Sequence, residues 1–162
     1  MSTTTSPAVR DAASLLSRTE FDGVTATVLG NNKGMSEADA RRIVEEALKF
    51  VAAAAQFPGG MRPSKTVDEG WHALILHTRV YQQLCRNLGR FVHHVPERPD
   101  PTRHDPTALE RTQARIVEAG YEVDRTLWLG PSNGSVPVAA SCEHAGCGDA
   151  NCEANCSDAH PN

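Results

Sequence analysis

Residues 63–96 read PSKTVDEGWHALILHTRVYQQLCRNLGRFVHHVP. This stretch holds four of the seven histidines, one of the two tryptophans and Cys85, the one cysteine outside the C-terminal tail. The helical pattern runs roughly from Ser64 to Leu88, and Gly89 is a stop residue that tolerates the left-handed backbone ending a helix. Between them the spacing predicts one long helix. Steps of about 100° per residue place Val67, Trp71, Leu74, Thr78, Tyr81, Cys85 and Leu88 on one apolar stripe. A short segment carrying His93 and His94 follows.

Helical spacing predicts more of the same on either side. Residues 7–17 form a candidate short helix. Thr19 is a candidate cap for a second, FDGVTATVLGN. Ser36 and Asp39 resemble a capping box ahead of Ala40, Ile43, Val44, Ala47, Leu48 and Val51, which recur at helical spacing. Phe57-Pro58-Gly59-Gly60 ends that helix. Pro96, Pro99 and Pro101 mark an irregular linker. Asp105-Pro106 then opens a helix with Pro in its first turn. It carries Leu109, Thr112, Ile116 and Val117, ends near Gly120, and leads to Leu127 and Trp128. No alternating pattern is long enough for a sheet. The expectation is an all-α domain, a small bundle of about five helices over residues 7–129. Residues 1–6 read as a disordered start and residues 130–162 as a flexible Cys/His-rich tail.

Hydrophobic residues make up 40% of the 162, enough for one core. The net charge of −4 has an uneven source. All 16 Lys and Arg lie at or before Arg125, with 16 of the 20 acids, so the domain is neutral. Glu143, Asp149, Glu153 and Asp158 in the tail supply the whole imbalance. A neutral domain with an acidic tail lacks the clustered basic charge of a nucleic-acid footprint. MSTTTSPAVRDAASLL has no apolar core of a secretory signal, and no apolar run approaches a membrane span. These features point to a cytoplasmic protein, where thiols stay reduced and clustered cysteines favour metal or redox chemistry over disulfides.

The histidines raise a metal question. His72 lies one turn after Asp68, the carboxylate–imidazole arrangement that orients a metal-binding ring. On a continuous helix His72 and His77 stand five residues apart, about 140° around the axis, so they do not form a simple helical ligand pair. A site therefore needs His93 or His94 folded back against the helix, one ring inward and the other outward. The candidate domain ligands are Asp68, His72, His77, His93 and His94, for zinc or another transition metal. The plain alternative is structural: buried His and Asp satisfy each other, and His93 and His94 past a helix C-terminus suit its dipole. Arg79 is a candidate partner for Asp68. Trp71, Tyr81, Phe91 and Trp128 read as core, and Cys85 as a small buried hydrophobe. A Cys85–His77 nucleophile pair is separated by two helical turns, about 12 Å, too far for direct contact. No phosphate loop, nucleophile elbow or H-E-x-x-H motif is present.

The tail, SCEHAGCGDANCEANCSDAHPN, places Cys142, Cys147, Cys152 and Cys156 within 15 residues, with His144 after the first of them and His160 beyond the last. Four soft ligands on a flexible chain can wrap Zn²⁺ or Cu⁺. The spacing sits at the wide edge for a zinc knuckle. A globular leader with a short Cys-rich end also resembles a precursor whose C-terminus a partner enzyme modifies, and incidental thiols on a disordered tail are the bland reading.

The pattern V-D-x-x-W-H-x-x-[IL]-L-x-T-R-x-Y, then a cysteine, then G-R-F-x-H-H-x-P, resembles the bacterial glycine-rich domain-containing-like proteins. Here it falls on Val67, Asp68, Trp71, His72, Ile75, Leu76, Thr78, Arg79, Tyr81, Cys85, Gly89, Arg90, Phe91, His93, His94 and Pro96. It extends more thinly to Gly120, Asp124, Leu127 and Trp128, and a Cys-rich tail after that tryptophan is also similar to bacterial members. The resemblance implies a mostly helical domain and brings no catalytic mechanism. The functional expectation is a metal-binding protein using the His cluster, the Cys tail or both. The alternatives are a precursor or interaction protein with an unidentified protein partner, and a metal-dependent enzyme with an open coordination position and a cleft beside His72.

Overall fold

A computed structural model describes residues 9–95, 105 and 107–129. The N-terminal residues 1–6 and the four tail cysteines lie outside that set. The described chain is all-helical, with five α-helices and no strand among the described residues. They are α1 (Arg18–Asn31), α2 (Glu37–Gln56), α3 (Lys65–Leu76), α4 (Thr78–Leu88) and α5 (Ala108–Glu118). Short 3-10 turns at Ala13–Leu15 and Arg125–Trp128 flank the bundle. No helix among the described residues is long and apolar enough to cross a membrane.

Helix α2 is the central element, packed against α1, α3 and α5. Ser36 starts it, its hydroxyl accepting from the Asp39 amide at 3.1 Å. Ala40, Ile43, Val44, Ala47, Leu48 and Val51 are fully buried, as their spacing predicts. Phe50 meets Trp71 of α3 and Trp128 of the last turn with ring centroids 5.0 and 6.4 Å apart. Glu46 is also fully buried. Its carboxylate accepts from the Trp128 indole at 2.7 Å, from Lys49 Nζ at 3.0 Å and from the Asp124 amide at 3.3 Å. These bonds offset the desolvation of the acid and clamp the C-terminal turn to α2. Burial works against the Lys49 charge, but Glu46 and Glu45 outweigh it and raise the ammonium's pKa.

The structure departs from the sequence pattern at several points. The long helix over 64–88 is two helices. His77 has φ −83° and ψ 64°, outside the helical range, and serves as the last cap of α3 and the first of α4. Its Nε2 lies 2.8 Å from Thr27 Oγ1 of α1, a bond that holds the residue at the break. Ser17, not Thr19, caps α1, in a full capping box with Glu20. The first candidate helix shrinks to the turn Ala13–Leu15. Thr107 precedes α5, and the Asp105 carboxylate accepts from its amide at 2.9 Å. Val117 is 56% exposed and Phe91 48%, so neither is core. Trp71, Tyr81, Cys85 and Trp128 are buried.

Gly70 decides how closely α2 and α3 approach. A Cβ there would stand 2.7 Å from the Ile43 carbonyl oxygen and 2.9 Å from Ala47 Cβ. Only a glycine permits that backbone contact. It settles α3 on α2 and fixes the helix that carries Asp68 and His72.

Candidate metal centre

The site is built on the first turns of α3. Ser64 caps the helix, its buried hydroxyl accepting from the Val67 amide at 3.1 Å and donating to the Leu127 carbonyl at 2.6 Å. This bond pins the start of α3 to the C-terminal turn. Asp68 and His72 then stand one turn apart on the same face. The His72 Nδ1 atom is 3.6 Å from Asp68 Oδ2.

The third side chain arrives from beyond α4. Gly89, with φ 82°, closes that helix, and the Arg90 amide donates back to the Cys85 carbonyl. This left-handed stop turns the chain. Residues 91–95 then pass over the front of α3. Two bonds hold them there. The Trp71 indole donates to the Tyr81 hydroxyl at 2.9 Å, and that hydroxyl donates to the Val92 carbonyl. His94, two residues on, is thereby laid between Trp71 and His72, with ring centroids 4.6 and 4.5 Å away. Its Nε2 is 3.2 Å from Asp68 Oδ1.

One carboxylate oxygen and two imidazole nitrogens converge, all within 4.8 Å of one another. Around a first-row transition metal, with ligand bonds of about 2.0–2.2 Å, such atoms stand roughly 3–3.5 Å apart. The Asp68–His94 distance already meets this. The His72 side chain is 45% exposed, against 24% for Asp68 and 18% for His94. Of the three side chains it has the most room to rotate inward. Two imidazoles and a carboxylate suit Zn²⁺, Fe²⁺ or Co²⁺, and leave coordination positions for water or another ligand.

The other sequence candidates stand outside this group. His77 holds Thr27 at the α3–α4 break. His93 is exposed and packs on Phe91, ring centroids 4.8 Å apart. Arg79 is exposed and makes no ion pair with Asp68, whose partners are His72 and His94. Cys142, Cys147, Cys152 and Cys156 lie outside the described residues.

A cleft of about 610 Å³ opens beside the cluster. Asp68, His72 and His94 line it, together with Phe50, Trp71 and the Pro58-Gly59-Gly60 turn. A cleft beside His72 is what an enzyme would require, and no residue spacing in the sequence signals one. It depends on the loop after α2 and the segment after α4 facing each other.

Residues 12–113 match the model of the UCP032817-like family. The chain belongs to that family. The match takes in α1 to α4, the start of α5 and all three clustered side chains. The glycine-rich domain-containing-like resemblance of the 63–96 motif is not what this match names. No curated protein and no solved structure matches the chain.

Proposed function

We propose that this domain binds one divalent transition-metal ion through Asp68, His72 and His94. The observation that carries the reading is the convergence of these three donor atoms from two separate chain segments. Asp68 and His72 come together through helical spacing alone. His94 joins them only because the Trp71–Tyr81–Val92 bonds hold residues 91–95 in place. A carboxylate already beside both rings also suits a ligand set prepared before the ion arrives.

The cleft supports a second reading, a metal-dependent enzyme. The three ligands leave positions open, and they line the cavity from which a substrate would approach.

The test is a Zn²⁺ and Co²⁺ titration of the full chain with Cys142, Cys147, Cys152 and Cys156 all changed to serine. This removes competition from the tail thiols. One ion per chain is expected. Asp68→Asn, His72→Gln and His94→Gln should each weaken binding by about tenfold or more. A serine-substituted chain that binds no ion, or ligand variants that bind as well as the parent, would overturn the assignment.

A further inference from the structure

The cleft beside the cluster has a charge and a lining that select its occupant. Lys65, half-buried in the first turn of α3, and Arg90, exposed just after α4, both line it. Among the described residues neither makes an ion pair. Asp68 is the one acid among the described residues that line it. A divalent ion held by one carboxylate and two neutral imidazoles would carry one net positive charge. The cavity is therefore cationic at the metal and along the wall next to it, in a chain whose net charge is −4. That local excess of positive charge favours an anion and repels a cationic ligand.

The rest of the lining is apolar. Phe50, Phe57, Trp71 and Phe91 contribute aromatic rings, with Met61 and Val92 beside them. About 610 Å³ lies within the range of small-molecule pockets. A bare inorganic anion would leave this wall unused, and a polyanion would need an extended basic track that the neutral domain lacks.

We infer that the cleft takes a small organic acid, its carboxylate held by the metal with Lys65 and Arg90, its apolar body on the aromatic wall. The inference rests on the proposed metal site. The Lys65 and Arg90 side chains would steer and hold the carboxylate as charges, while the ion takes one of its oxygens as a ligand.

The probes are phenylacetate, acetate and phenylacetamide, added to the cobalt-loaded, serine-substituted full chain. Cobalt absorption reports a change in coordination, and calorimetry gives affinity. Phenylacetate is expected to bind and to shift the cobalt spectrum. Acetate, lacking the ring, should bind about tenfold or more weakly. Phenylacetamide, lacking the charge, should leave the spectrum unchanged. The double variant Lys65→Gln with Arg90→Gln should weaken phenylacetate by about tenfold and lower its salt dependence, with cobalt still bound. Phenylacetamide binding as well as phenylacetate, or phenylacetate leaving the cobalt-loaded protein unaltered, would overturn the inference. If cobalt itself fails to bind, the metal reading falls separately. Phenylacetate binding to the metal-free chain, lost in the double variant, would then retain the acid site, and its absence would remove both.

Discussion

The Trp71 indole donates to the Tyr81 hydroxyl at 2.9 Å, joining α3 to α4 across the break at His77. The same hydroxyl donates to the Val92 carbonyl, so one buried oxygen sets where residues 91–95 lie. Burial pushes the Tyr81 pKa well above its ordinary value, so the phenol remains a donor throughout the working range. Tyr81→Phe would leave a buried indole N–H and a backbone carbonyl without this partner. The expected loss is about 1–3 kcal/mol of stability, read by chemical denaturation. Metal affinity should fall by about tenfold as well, because His94 loses the anchor two residues before it. A variant with reduced stability and undiminished metal affinity would show that Tyr81 does not position His94.

The two histidines outside the cluster provide the contrast. His93→Gln changes an exposed ring and should alter neither stability nor metal binding measurably. His77→Gln removes the bond to Thr27 at the α3–α4 junction. It should cost about 1 kcal/mol in denaturation and leave metal affinity in place. Loss of the ion from either variant would place the site elsewhere among these residues.

The sequence made the helices legible because their apolar spacing and caps are local. The Ala40 to Val51 stripe is buried as its spacing predicts, Ser36 starts its helix and Gly89 ends one, as residues of those types do. The break at His77 was not legible. The apolar stripe continues through it on both sides, and the Thr27 hydroxyl that holds it is 50 residues away. The site divides the same way. Asp68 and His72 are one helical turn apart and can be paired from spacing. The choice of His94 over His93 depends on which ring the Tyr81–Val92 bond turns inward, and spacing carries no record of that bond. Arg79 looked like a partner for Asp68 on a continuous helix, yet in the structure the carboxylate faces His94 instead.

Acid should loosen the C-terminal turn. Burial disfavours the Asp124 charge, but bonds from Thr126 and Arg42 outweigh it and lower its pKa. The Arg42 guanidinium lies 2.7 Å from the carboxylate, tying α2 to the turn that carries Trp128. A carboxylate with a lowered folded pKa stabilises the fold above its unfolded value, about 3.9, and that contribution is lost as pH falls through the folded value. Stability should therefore drop below about pH 4. Asp124→Asn should cost about 1 kcal/mol at neutral pH and flatten part of the acid limb. Denaturation midpoints of parent and variant across pH 2–7 would check this, and parallel curves would count against it.

Gly70 gives the severest single-atom test of the packing. The position lies in the middle of α3, where glycine is a poor helix former and alanine a good one, so propensity alone favours Gly70→Ala by about 1 kcal/mol. Packing opposes it. The added methyl would meet the Ile43 carbonyl oxygen at 2.7 Å and Ala47 Cβ at 2.9 Å, both on α2. A backbone oxygen in a buried helix cannot turn aside as a flexible side chain can, so α2 and α3 would have to separate. Overpacking of this kind costs about 1–3 kcal/mol, more than propensity returns at most of that range. A contact under 3 Å against backbone belongs in the upper part of that range, so net destabilisation of about 1–2 kcal/mol is expected, with Asp68 and His72 carried away from α2 on the same helix. A Gly70→Ala protein as stable as the parent would mean that α2 and α3 do not approach as closely as the structure has them.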